Sequence, residues 1–219
     1  MTPQNPPSST TTAPGRLFEQ AFTALPLMVI LRGLDTEATV AMSRRAWDHG
    51  IPLVEVPVQD ESAVAALAAA AAAGRERGAV VGAGTVTSTE RLARAVRAGA
   101  AFTVAPGFSA EVAEASVRAG LPHLPGVSTP SEIQQALACG FTWLKAFPAA
   151  ELGAGWLRAM RGPFPEARLV ATGGMTVANA QEFLSAGADA VSLGSALSDP
   201  AQVRRLPRLV TELTEGAAR

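Results

Sequence analysis

From Arg16 onward the chain repeats one pattern: a helix-like mixture of apolar and polar positions ends in glycine, and an apolar run follows at once. WDHG-IPLVEV, RERG-AVVGAG, RAGAAFTVAPG, RAGLPHLPG, LACG-FTWLKAF and SAGADAVSLGS are the examples, and their glycines are Gly50, Gly78, Gly99, Gly120, Gly140 and Gly187. A glycine just past a helix can take the left-handed conformation without a Cβ clash, and a short turn then leads into a strand. The apolar runs begin near residues 27, 53, 79, 100, 121, 141, 168 and 190, which makes eight candidate strands. They are apolar nearly throughout rather than alternating, as expected of a parallel sheet covered on both faces. Helix-length segments lie between them, with start signals at Asp35, Ser88, Ser109 and Thr129-Pro130. The run AVAALAAAAAAG is a strong helix former.

Strand, helix, strand at this spacing is a βαβ series. Eight units predict an α/β protein folded as a single (β/α)₈ TIM barrel over residues 16–219, near the short end of that fold's range. The alternative is an open doubly wound sheet. It would need a topological switch point and usually has fewer strands, and no GxGxxG follows the first strand here.

Residues 1–15 open on MTPQNPPSSTTTAP, rich in Pro, Ser and Thr, and are expected to form a disordered tail. They have neither the basic nor the apolar region of a secretory signal. The longest uncharged apolar run, between Glu61 and Arg75, falls well short of the about 20 residues a membrane span needs. A soluble cytoplasmic protein with no membrane partner is expected.

Composition narrows the chemistry. A formal charge of −1 provides no basic footprint for nucleic acid, and 48% hydrophobic residues is too many for a disordered chain. One Cys and two His disfavour an internal disulfide, a zinc cluster and a Ser-His-Asp hydrolase, and a lone Cys suits a reducing compartment. Of the 18 basic residues, 17 are Arg and only Lys145 is Lys.

Barrel chemistry sits at the C-terminal ends of the strands. In order, the strand ends here carry Arg32-Gly33, Glu55 within LVEVPV, Gly82-Ala83-Gly84-Thr85, Ala105-Pro106-Gly107, Pro125-Gly126, Lys145 within FTWLKAFPA, Thr172-Gly173-Gly174 and Gly194-Ser195. Lys145 stands between Leu144 and Ala146, where a solvated lysine is not expected. By strand alternation it shares a face with Phe141 and Trp143. In a dry lumen the neutral amine is favoured, and a neutral amine can attack a carbonyl, as a guanidinium cannot. The alternative is a lysine that snorkels to the rim or pairs with an acid. Glu55 shares a face with Leu53 and Pro57 and is either a proton shuttle or one half of a buried ion pair. Gly173, Gly174, Gly194 and Ser195 suggest an anion site built from exposed backbone N–H groups. Arg32 could bind a carboxylate or phosphate, or make a rim salt bridge. Cys139, between QQALA and Gly140, is expected to be a small core residue. His123 is read as structural, with a lumen-facing supporting role as the alternative.

The eight segments ILRG (30–33), VEVPV (54–58), GAGTV (82–86), VAPG (104–107), PGVSTPSE (125–132), LKAFPA (144–149), TGGM (172–175) and LGSAL (193–197) fall in order, each at a strand end. From about Leu25 to Leu213 the chain thereby resembles the 2-keto-3-deoxy-6-phosphogluconate and 4-hydroxy-2-oxoglutarate aldolases, together with the related 2-keto-3-deoxy-6-phosphogalactonate aldolases. The resemblance implies a class I aldolase on a (β/α)₈ barrel, typically a homotrimer, acting on a small keto acid. It implies that Lys145 is the Schiff-base lysine and Glu55 the general acid/base. Thr85, Pro106, Thr129 and Phe147 match pocket positions, and Gly173, Gly174 and Ser195 match the phosphate-binding segment. No metal or cofactor is needed, because the protonated imine is the electron sink. The phosphogluconate enzymes usually carry an Arg shortly after the strand 2 Glu, where this chain has Gln59. The phosphogalactonate type lacks that Arg and has an arginine in an LRG segment, as with Arg32, whereas TGGM looks like the phosphogluconate type. The C4 configuration of the substrate is therefore left open. A phosphate-binding isomerase using Glu55 as base, and a catalytically silent sugar-acid binder, are the readings outside aldol chemistry.

Overall fold

The computed structural model describes residues 15–194 and 199–217. The expected tail up to Pro14, and Ser195 with its two neighbours in LGSAL, Ala196 and Leu197, lie outside the described residues. The elements in chain order are α1 (Arg16–Ala24), β1 (Leu27–Ile30), α2 (Thr36–Asp48), β2 (Leu53–Pro57), α3 (Glu61–Arg77), β3 (Val80–Gly84), α4 (Thr89–Arg97), β4 (Thr103–Val104) and α5 (Ala110–Arg118). They continue with β5 (His123–Leu124), β6 (Gly126–Val127), α6 (Pro130–Ala138), β7 (Trp143–Ala146), α7 (Ala149–Arg161), β8 (Arg168–Thr172), α8 (Ala180–Ser185), β9 (Ala190–Leu193) and α9 (Pro200–Ala217).

The predicted starts and stops are physical caps. Asp35, Ser88, Ser109 and Thr129 each accept a hydrogen bond from the backbone N–H three residues on, at 2.7–3.4 Å. All six repeat glycines have left-handed φ, between 65° and 105°. The Ala-rich run lies inside α3. α7 is interrupted at Gly153, whose φ of 78° is not helical.

The eight predicted strands appear as nine parallel segments in the order β5-β4-β3-β2-β1-β9-β8-β7-β6. Pro125 accounts for the extra one. It has no N–H to give to the ladder, so the fifth strand splits there: His123 and Leu124 pair with β4, while Gly126 and Val127 pair with β7. The Pro125 carbonyl still accepts from Lys145 N at 2.8 Å. The two halves of one strand thus join the two edges of the sheet, which makes a barrel and not the open doubly wound alternative.

Two apolar layers hold it. The larger lies between the sheet and the surrounding helices. The smaller fills the lower lumen with Met28, Leu53, Phe102, Val104, Leu124, Trp143, Val170 and Ala190, and α1 plugs it from below with Phe18 and Phe22. Phe18 meets Phe102 edge-on at 5.7 Å and Phe22 meets Trp143 at 5.1 Å, contacts worth about 0.5–1.5 kcal/mol each beyond area burial. With this end closed, the upper lumen is the place left for chemistry.

Two side chains depart from expectation. Phe141 precedes β7 and packs in the outer layer, 6.0 Å from the His123 ring, so it does not share the face of Trp143 and Lys145. Cys139 is exposed, not core. It is the residue after α6, where the chain already turns toward Gly140 and no longer follows the buried stripe of Ile133 and Ala136.

Candidate active site

Alternation along the strands raises the site from the lumen core. Leu53 and Trp143 belong to the lower lumen, so Glu55 and Lys145, two residues on, face the lumen one layer higher. Lys145 is 4% exposed and Glu55 1%, and Lys145 Nζ lies 3.6 Å from Glu55 Oε1. Among the described residues neither Glu55 oxygen has a hydrogen-bond partner. The acid and the amine are paired with each other out of water, and a group entering between them would meet both. β3 makes room for the carboxylate: a Cβ on Gly84 would overlap Glu55.

Above the pair opens a cleft of about 430 Å³. Among the residues predicted for the site, Arg32, Lys145, Phe147, Gly173, Gly174 and Gly194 line it. Lys145 Nζ sits 5.3 Å from the centre of the Phe147 ring. Gly173 and Gly174 both have left-handed φ, 93° and 72°. A side chain at Gly173 would press on Phe147, and one at Gly174 would overlap Ala150. The β8 end is therefore bare backbone, suited to an anion. The Arg32 side chain is exposed at the rim, and among the described residues no carboxylate pairs with it.

Other predicted residues stand outside the cleft lining. Thr85 follows β3 and has φ 58°, the only left-handed non-glycine among the described residues. For a β-branched residue this is a strained conformation. Arg91 on α4 holds it, donating from Nη1 to the Thr85 carbonyl at 3.3 Å and to Thr87 Oγ1 at 2.7 Å. Pro106 follows β4, and its carbonyl packs so closely on β6 that a Cβ on Gly126 would overlap it. Thr129 caps α6. Its hydroxyl donates to Glu132 Oε2 at 3.0 Å and accepts from Glu132 N at 3.3 Å. Burial alone would raise the Glu132 carboxyl, but hydrogen bonds from the N–H and hydroxyl of Ser128 and Thr129 outweigh it and hold the group below its ordinary value. Gln59 is exposed, one residue before the α3 cap Asp60.

Thr172, named from the sequence only as a strand end, and Ser192, not named from it, also line the cleft. Their signal was available: each lies two residues beyond a lumen residue, Val170 or Ala190. Among the described residues no group of three or more His, Cys, Asp or Glu could hold a metal ion, and no helix is long and apolar enough to cross a membrane.

The chain is similar to known proteins over most of its length. The family model described as "Aldolase: KDPG and KHG aldolase" matches residues 18–207. KDPG here denotes the phosphogluconate-derived keto acid and KHG 4-hydroxy-2-oxoglutarate. The KHG/KDPG aldolase of Escherichia coli K12 is 32% identical over 206 residues, covering 91% of this chain and 95% of its own. The 2-dehydro-3-deoxy-6-phosphogalactonate aldolase of the same strain is 32% identical over 176 residues, covering 80% of this chain and 85% of its own. Among solved structures, the KDPG aldolase of Legionella pneumophila, with pyruvate captured as a covalent carbinolamine, superposes with a TM-score of 0.76 at 29% identity over 94% of this chain and 98% of its own. A barrel whose only lysine faces a buried glutamate beneath an open cleft, matched over nearly its whole folded length, belongs to the KDPG and KHG aldolase family.

Proposed function

We propose that this chain is a metal-independent class I aldolase that cleaves a 2-keto-3-deoxy-6-phospho sugar acid, of the phosphogluconate or phosphogalactonate type, to pyruvate and glyceraldehyde 3-phosphate. The observation that carries the reading is Lys145 in the upper lumen, 3.6 Å from the equally buried Glu55.

Lys145 attacks the C2 carbonyl of the acid to give a carbinolamine, and loss of water leaves a protonated imine. Glu55 takes the proton of the C4 hydroxyl, directly or through water. As the O–H electrons form the aldehyde carbonyl, the C3–C4 pair moves into the imine and yields an enamine. The departing aldehyde carries the phosphate. Protonation of the enamine at C3 restores the imine, and water releases pyruvate and the free amine. The imine is the electron sink, so the scheme asks nothing of a metal. Arg32 and the Gly173, Gly174 and Gly194 backbone would receive the anionic ends of the substrate, with Ser195 continuing that segment. Phe147 would close the cleft over the imine. Thr85, Pro106 and Thr129 remain proposed contacts at the rim. For Thr129, binding would mean lending substrate a hydroxyl already engaged in the α6 cap.

The E. coli K12 relative, a KHG/KDPG aldolase, favours a second substrate, 4-hydroxy-2-oxoglutarate, on the same residues. The family resemblance also supports a homotrimer, and the single Cys supports a reducing, cytoplasmic compartment. Pyruvate release from the two epimeric phosphorylated acids, their unphosphorylated forms and 4-hydroxy-2-oxoglutarate tests the assignment. One phosphorylated epimer is expected to lead, and Lys145→Arg is expected to abolish its turnover. Activity retained in Lys145→Arg would overturn the scheme.

A further inference from the structure

Five buried side-chain polar atoms lack a hydrogen-bond partner among the described residues: Trp47 Nε1, the two Glu55 oxygens, His123 Nε2 and Ser192 Oγ. Burying an unpaired polar atom is costly, so each one needs a reason. Trp47 and His123 lie away from the Lys145 cleft, and Glu55 faces the amine. Ser192 has no such account. It is 1% exposed and forms part of the wall of the cleft that holds Lys145.

Its place in the fold is well determined. Ser192 is in register with Thr172 of β8 on one side and Met28 of β1 on the other, two residues above the lumen residue Ala190. It therefore points into the lumen. Its neighbour Thr172 satisfies its own hydroxyl, donating to the Val170 carbonyl at 3.3 Å. The hydroxyl of Ser192 makes no such bond. An alanine would serve the packing equally well without desolvating a hydroxyl, as Ala190 does one layer below. The cleft is the side from which a partner for this hydroxyl can come.

We infer that Ser192 is a further substrate-binding residue, its hydroxyl donating to an oxygen at the C1–C2 end of the keto acid held by Lys145. The inference rests on the Schiff-base reading above. An anionic or strongly polarised oxygen is the acceptor that best offsets a buried donor.

The test compares wild type, Ser192→Ala and Ser192→Cys. Two quantities are read: the pyruvate concentration that half-saturates borohydride trapping, and the melting temperature without ligand. Ser192→Ala is expected to raise the half-saturating concentration about tenfold, the usual effect of losing one hydrogen bond to a charged or polarised group. Its melting temperature should equal or exceed that of wild type, because an unpaired buried hydroxyl has been removed. Ser192→Cys, similar in size but a weak donor, should fall between the two. Unchanged half-saturation in Ser192→Ala, with or without a lowered melting temperature, overturns the inference. A wild-type protein that binds pyruvate but gives no trapped adduct overturns instead the aldolase reading on which the inference stands.

Discussion

Lys145 and Glu55 divide the work in the proposed reaction, and substitution can separate them. Imine formation needs the amine, whereas proton removal from the C4 hydroxyl needs the carboxylate. Glu55→Gln keeps the shape of the acid beside Gly84 and removes its basicity. It is expected to lower kcat about 10²-fold or more while leaving pyruvate able to form the reducible imine, read by steady-state kinetics beside trapping. A Glu55→Gln enzyme with wild-type kcat would remove Glu55 from the proton transfers. Lys145 was legible in the sequence because an amine inside an apolar strand contradicts its surroundings, and 17 arginines leave no other candidate. The unbonded hydroxyl of Ser192 was not, because a lone serine in a strand often bonds to nearby backbone, and only the three-dimensional arrangement reveals that this one does not. Cys139 fell on the wrong side for a related reason: beyond the last turn of α6 the helical period no longer says where a side chain points.

The elements were easier to read than their faces. Caps and stop glycines act locally, through one side chain or one φ, so Asp35, Ser88, Ser109 and Thr129 and the six glycines could be placed from sequence. The plug formed by α1 depends on contacts between distant segments and could not, whereas the split of the fifth strand had a local signal in Pro125, which has no N–H for the ladder. His123, just before that split, gives the element a pH signature. It is buried, with Nδ1 2.8 Å from Thr103 Oγ1, and burial pushes its pKa from 6.5 down to about 4. Between those values the unfolded chain takes up a proton that the folded chain refuses. The contribution of His123 to stability is therefore complete above pH 6.5 and declines as the pH falls toward about 4, by about 3 kcal/mol in all. Melting temperatures across this range should fall more steeply for wild type than for His123→Asn, and parallel curves would contradict the buried neutral ring.

At the scale of the molecule, the fold sorts its interior by height. Phe18 and Phe22 close the bottom of the lumen, apolar side chains fill its lower layer, and Glu55, Lys145, Thr172 and Ser192 make the layer above. Backbone glycines and Arg32 then surround the opening. The barrel was legible because eight apolar runs at regular spacing admit few architectures, and the reactive end was legible because the unusual residues collect there. Lys145 is proposed to form an imine with a keto acid, and a single amine-bearing side chain makes the test direct. The protein is incubated with pyruvate, reduced with borohydride, digested and weighed by mass spectrometry. A reduced pyruvyl adduct is expected on the peptide carrying Lys145, absent without pyruvate and absent in Lys145→Arg. Pyruvate binding demonstrated independently with no adduct on that peptide would contradict it.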